Sequence, residues 1–160
     1  MTAVSQKTPA PDEIMRNACA LLERGEYGDA LVLFRQLEQI IPSNAPGYNR
    51  VRALYGLTLV GLGSREEGLA VCQEAARGEF NDARVFHAFA RAALLCGRRQ
   101  LALKAISMGR VIDGDHSELE ALRQKMGVRQ KPVIKFLSRN NPINIALGRK
   151  RHRRAQQRAH

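Results

Sequence analysis

The residues best supplied to do chemistry in this chain are the cations of its C-terminal segment. Residues 128–160 hold ten Lys/Arg and no acid, whereas residues 1–127 hold sixteen Lys/Arg against all fifteen acids, a balance of +1. The net charge of +11 is therefore a property of the tail, densest in Arg149-Lys150-Arg151-His152-Arg153-Arg154. Such an asymmetry suggests a polyanionic or acidic partner for the segment that bears it. Three readings compete. Lys135, Arg139, Arg149, Lys150, Arg151, Arg153 and Arg154 could hold RNA or DNA phosphates without sequence readout, since Phe136 is the lone aromatic and base stacking is not suggested. The same cations, with Val133, Ile134, Phe136, Leu137, Ile143 and Leu147, could lie on an anionic membrane surface, where each basic residue contributes about 1 kcal/mol. In the third reading these apolar residues pack back on the rest of the chain or in a groove of it, and the arginines are a solvated end. The apolar content exceeds what a pure polyanion-binding arm needs.

Catalytic chemistry is not indicated. There is no Gly-rich phosphate loop, no HExxH, no GxSxG and no His/carboxylate pair spaced to share a helical face; His116 and Glu118 are two apart. Cys19, Cys72 and Cys96 make no CxxC spacing, so neither a disulfide framework nor a zinc site is suggested, and they read as reduced core thiols of a cytoplasmic protein. No metal or other cofactor is implied. Met1 to Pro11 is polar with two prolines and reads as a disordered arm (1–11) rather than a secretory signal. No apolar run approaches the roughly 18 residues of a membrane span.

The elements that would position any site are set by an internal repeat. Gly25-Glu26-Tyr27-Gly28-Asp29-Ala30, Gly63-Ser64-Arg65-Glu66-Glu67-Gly68 and Gly97-Arg98-Arg99-Gln100-Leu101-Ala102 share one helix-turn-helix signature. Their glycines are 38 and then 34 residues apart, the four extra residues falling in Pro42 to Tyr48. Helical patterns span 12–24, 29–41, 48–62, 66–77, 82–96 and 100–112, with a further segment from Ser117 to Met126. Asn81-Asp82 and Ser64 supply N-cap chemistry, and Gly25, Gly63, Gly78 and Gly97 supply left-handed C-cap positions. Asn141 before Pro142 predicts a last helix from Pro142 to about Gln157.

In register across the units run Ala18, Leu21, Gly25, Tyr27, Ala30, Phe34, Leu37 and Pro42; Gly56, Leu59, Gly63, Arg65, Gly68, Cys72, Ala75 and Phe80; and Ala90, Ala93, Gly97, Arg99, Ala102, Ile106, Gly109 and Gly114. This pattern resembles the tetratricopeptide repeat family, with small residues where two helices cross and a glycine between them. The second and third units depart from it, with Arg65 and Arg99 for the turn aromatic and Phe80 and Gly114 for the closing proline. The resemblance implies an all-α fold: a right-handed α-solenoid of three helix-turn-helix repeats over residues 12–127, closed by a capping helix with a polar outer face, followed by the basic tail 128–160.

In that family the first helix of each pair lines a concave groove. The inward positions here are Met15, Cys19 and Leu22; Arg50, Ala53, Leu57 and Val60; and Arg84, His87, Arg91 and Leu94. Such a groove, apolar at one end and cationic at the other, suits a peptide with apolar anchors and an acidic group. The Lys/Asn/Asn/Lys/Arg clamp by which some members hold chaperone termini is absent, its positions being Met15, Cys19, Leu54, Arg84 and Ala88. Three repeats and a closing helix are also similar to bacterial type III secretion chaperones, whose pattern lacks the basic tail. The expectation is a cytoplasmic, non-enzymatic adaptor or chaperone that holds a protein or peptide segment, with a tail docking a second partner. The alternative is a nucleic-acid or anionic-lipid binder, peripheral at a membrane surface in the latter case, with the repeats as platform. Second-helix faces exposing Leu or Val could also mediate a homodimer.

Overall fold

The computed structural model describes residues 9–127. Its seven helices are α1 (Pro11–Arg24), α2 (Tyr27–Ile40), α3 (Tyr48–Gly61), α4 (Arg65–Arg77), α5 (Ala83–Leu95), α6 (Arg99–Ile112) and α7 (Ser117–Lys125). All lie within two residues of the spans expected from periodicity, the largest shift being α2, which starts at Tyr27 rather than Asp29.

Local chemistry explains where the helices begin and end. Pro11 opens α1 at a position where a missing N–H costs nothing, and Asp12 and Glu13 in its first turn complement the helix dipole. Ile14, Ala18 and Leu22, four residues apart, form its buried stripe. The three expected glycines then close α1, α3 and α5 in one way. Gly25, Gly63 and Gly97 take φ of 78°, 99° and 71°, the left-handed region that a Cβ disfavours. Each turn is locked by two bonds: Glu26 N–H to Leu21 O at 3.0 Å with Gly25 to Leu22, Ser64 N–H to Leu59 O at 3.0 Å with Gly63 to Val60, and Arg98 N–H to Ala93 O at 2.8 Å with Gly97 to Leu94.

The helices pack sequentially in antiparallel pairs, and α3 touches α5 as well as α2 and α4. The small residues in register mark the crossings: Ala18, Ala30, Ala90 and Ala102 have no exposed surface, and Gly56 and Gly68 are buried. At the α3/α4 crossing a Cβ on Gly68 would stand 2.4 Å from Gly56 O, and one on Gly56 would stand 2.6 Å from Gly68 O. At the α2/α3 junction the Tyr27 ring covers Gly61 so closely that a Cβ there would lie 2.5 Å from it. Phe34, Phe86, Leu37, Leu57, Ile106 and Leu119 fill the interior.

Two links depart from the regular turn. Between α2 and α3 the extra residues fold as successive turns, Ala45 N–H to Pro42 O at 2.9 Å and Tyr48 N–H to Ala45 O at 3.2 Å, ending at a left-handed Gly47. Between α4 and α5, Gly78 is not left-handed as expected; its φ is −89°. A side chain organises that turn instead. Glu79 Oε1 accepts the backbone N–H groups of Phe80, Asn81 and Asp82 at 3.0, 2.8 and 3.0 Å. Asn49 Nδ2, from α3, donates to Gly78 O at 2.9 Å and to Glu79 Oε2 at 3.3 Å. Hydrogen bonds to an ionised group are among the stronger ones, so Glu79→Ala is expected to lower unfolding free energy by about 2 kcal/mol in urea titrations, and Glu79→Gln by less.

Asp82 caps α5 as expected, its Oδ1 accepting Arg84 N–H at 3.0 Å. Ser64 does not cap α4: at φ −76°, ψ 62° it lacks the extended conformation from which a hydroxyl reaches back to the first turn. The expected closing helix is α7, whose fully buried Leu119 inserts against Gly109 of α6. One compact unit runs to Arg123; a second begins at Gln124, and its described residues end at Gly127. No helix among the described residues is long and apolar enough to cross a membrane. The arm expected over 1–11 falls outside the described residues up to position 8, while Pro11 already belongs to α1. Lys135, Arg139, Arg149, Lys150, Arg151, Arg153, Arg154 and the helix expected from Pro142 also lie outside them.

Candidate functional site

The expected groove residues come from α1, α3 and α5, and most of the polar ones do meet. Cys19 lies within electrostatic reach of Arg50, Arg91 and Glu23. His87 lies within reach of Glu118, Arg91, His116 and Glu23. Three helices far apart in sequence thus contribute to one charged cluster. Its firmest tie is an ion pair between Arg91 Nη1 of α5 and Glu23 Oε1 of α1, residues 68 apart.

The apolar part of the expected groove needs a correction. Leu22, Leu57 and Val60, expected to line the groove, are core residues with 3%, 1% and 4% of their surface exposed, and Ala53 is fully buried. Inward direction along a repeat says which way a side chain points, not what covers it. Here Val60 turns a methyl toward Gly68 of α4, and α3 packs against α2, α4 and α5. Accessible surface remains on Met15, Cys19, Arg50, His87, Arg91 and Leu94, all half-buried, and on exposed Arg84. Met15 Sδ is 3.8 Å from the Cys19 thiol.

The cationic end is also not free charge. Arg84 forks onto Asp82, Nε to Oδ1 at 2.8 Å and Nη2 to Oδ2 at 2.9 Å, and Arg91 is taken by Glu23. Burial would raise the Asp82 carboxyl, but the side-chain and backbone bonds from Arg84 outweigh it and hold the group below the usual range. The acids Glu23, Asp82 and Glu118 and the ring of His116 were not recognised as part of this face from sequence. Asp82 carried a signal as an N-cap two residues before Arg84, and Glu23 as the residue four after Cys19 on one helical stripe; Glu118 carried none.

His87 is held below its ordinary 6.5, first by burial and then by Arg91 and His116, against the opposing pull of Glu118 and Glu23. Its Nδ1 is 3.5 Å from Glu118 Oε2, and its ring centroid is 6.1 Å from that of His116. A histidine whose folded value is depressed contributes stability that is present above the unfolded value and lost as pH falls through the folded one. Unfolding free energy is therefore expected to decline as pH drops below 6.5, and His87→Gln should flatten that decline; urea midpoints across this range, with NMR titration of the ring, measure it.

Burial holds the thiols of Cys19, Cys72 and Cys96 above their ordinary value. Cys72 is pushed up to about 12 by burial and donates to Ala53 O at 3.2 Å, and burial also raises Cys19 against the lowering effect of Arg50 and Arg91. Among the described residues no three of His, Cys, Asp and Glu are grouped to hold a metal ion. On the second helices Val32, Ile40, Met108 and Val111 are exposed.

One side chain stands apart. Among the described residues four arginines are half-buried: Arg52 pairs with Glu38 and Glu74, Arg91 with Glu23, Arg123 with Glu120, and Arg50 with no acid. The Nε–H of Arg50 is shielded from solvent and has no hydrogen-bond partner. A half-buried guanidinium that pairs with no acid can attract an anionic group. Compared with known protein families and with curated proteins, the chain matches none.

Proposed function

We propose that this chain is a non-enzymatic adaptor or chaperone of the tetratricopeptide type, a three-unit helical solenoid that holds a protein segment on the face formed by α1, α3 and α5. The small residues recurring at each crossing and the same double-bonded glycine turn after each first helix support the repeat reading. The observation that carries the binding reading is the charged cluster itself. Arg50, Arg84, His87 and Arg91 meet Glu23, Asp82 and Glu118 on one face, while Leu22, Ala53, Leu57 and Val60 of the expected lining are core. Ion pairs that are already formed favour a ligand able to exchange partners with them, an acidic peptide segment above all.

Charge reversal tests it. Arg84→Glu with Arg91→Glu is expected to abolish capture of protein partners from native lysate while leaving the helical circular dichroism in place; unchanged capture would remove this face from the account.

The ten Lys/Arg and no acid of residues 128–160 favour a second reading, a nucleic-acid or anionic-surface binder with the repeats as platform. If about six cations met duplex phosphates, log affinity would fall against log salt with a slope near −5. Partners lost on nuclease treatment, or on truncation after Gly127, would favour that reading; protein partners kept at high salt would favour the groove.

A further inference from the structure

Resting on the reading of the α1/α3/α5 face as a peptide groove, we infer that Arg50 is its specificity-determining residue, the receptor for an aspartate or glutamate side chain of the bound segment. A shielded N–H without an acceptor costs about 1–3 kcal/mol, so a position that keeps one calls for a reason. The local acids do not supply the acceptor. Asp82 is near enough to feel Arg50, but its Oδ1 is taken by the backbone N–H and Nε of Arg84 and its Oδ2 by Nη2 of Arg84. Glu23, on the other side of Cys19, is held by Arg91. Each of these carboxylates is engaged by a different arginine, and Arg50 pairs with no acid among the described residues.

The fork selects its ligand. A guanidinium presents parallel donors that match the two oxygens of one carboxylate, and in a half-buried setting that pair is stronger than in water. A side chain suits the position better than a chain terminus. Arg50 sits in the first turn of α3, between Cys19 of α1 and the start of α5, and the Glu23–Arg91 tie joins the flanking helices. A carboxylate on a methylene stem can approach a half-buried guanidinium while its backbone stays on the surface.

The test uses the full chain, so that the basic tail is the same in every arm. A random twelve-residue peptide library is displayed and selected at 0.5 M salt on the native protein. The strongest synthetic binder and its acid-to-amide analogue (Glu→Gln or Asp→Asn at the recurring acidic position) are then measured against the native chain, Arg50→Met and Arg50→Lys. The expected result is a fixed acidic position among the selected peptides and at least a tenfold loss for either the peptide change or Arg50→Met. The two losses should not add, since Arg50→Met no longer distinguishes the pair, and Arg50→Lys should fall between. The thermal midpoint of Arg50→Met should equal or exceed that of the native chain, because the orphan donor is gone. If Arg50→Met still prefers the acid by the native factor, or if selected peptides carry no fixed acid, the assignment of Arg50 is overturned while the groove stands. If no peptide is selected, the groove reading itself falls and this inference with it.

Discussion

Gly68→Ala and Gly28→Ala, one chemical change at two helical glycines, are expected to move stability in opposite directions. At Gly68 the added methyl would lie 2.4 Å from Gly56 O and 2.8 Å from both the backbone nitrogen and a methyl of Val60. Two of those atoms are backbone of α3 and cannot rotate away, so α4 must move off α3 or the helix must distort. Overpacking of this kind costs about 1–3 kcal/mol, and a backbone obstacle places Gly68 at the upper end. Gly28, in the first turn of α2, has nothing within 4 Å of the same methyl and a φ that any residue adopts. There alanine only narrows the unfolded ensemble, and a gain of about 0.5 kcal/mol follows. Urea titration decides it: midpoints displaced to opposite sides of the native value at a common slope agree with the crossing described, and equal midpoints would not.

Leu119→Ala is expected to cost about 3 kcal/mol and to do so locally. The side chain is fully buried, and its Cδ1 occupies the space that a Cβ on Gly109 would take, at 2.6 Å, with Phe86 Cβ at 2.9 Å from the same point. It is the one fully buried side chain of α7, a nine-residue helix too short to persist without packing. Truncation removes its transfer free energy and leaves a void against a glycine that has no side chain to fill it. Hydrogen exchange should show α7 amides losing protection before those of α5 and α6, and the Glu118 contact with His87 should go with them. Uniform loss across all helices would mean that α7 is part of the global unit rather than a cover on it.

Much of the fold was legible because close helix crossings and tight turns restrict residue type. A glycine after each first helix and a small residue at each crossing can be read off the chain, since no other residue type meets the geometry as cheaply. Gly78 was misread for a complementary reason. The turn there is satisfied by the carboxylate of Glu79 and the amide of Asn49, 30 residues away, and nothing local announces such a bond. The site was less legible than the fold. Which face Arg84, His87 and Arg91 share follows from helical spacing, but the partners that neutralise two of them come from Asp82 and from Glu23, and a charge count does not pair them. Val60 faces Gly68 of α4 rather than a groove, and the covering of Leu22 and Leu57 depends on neighbours that the pattern of one helix does not encode.

The tie between Glu23 and Arg91 also has a bearing on when this surface comes into being. Its two halves leave the ribosome 68 residues apart, which at ordinary elongation rates of about 5–20 residues per second is a delay of several seconds. During that interval α1 to α4 can pair, but the cluster lacks Arg84, His87 and Arg91, and Arg50 has no wall on the α5 side. If the face is the groove proposed above, a nascent chain has no finished groove to offer, and its ligand would arrive after the third pair has been made.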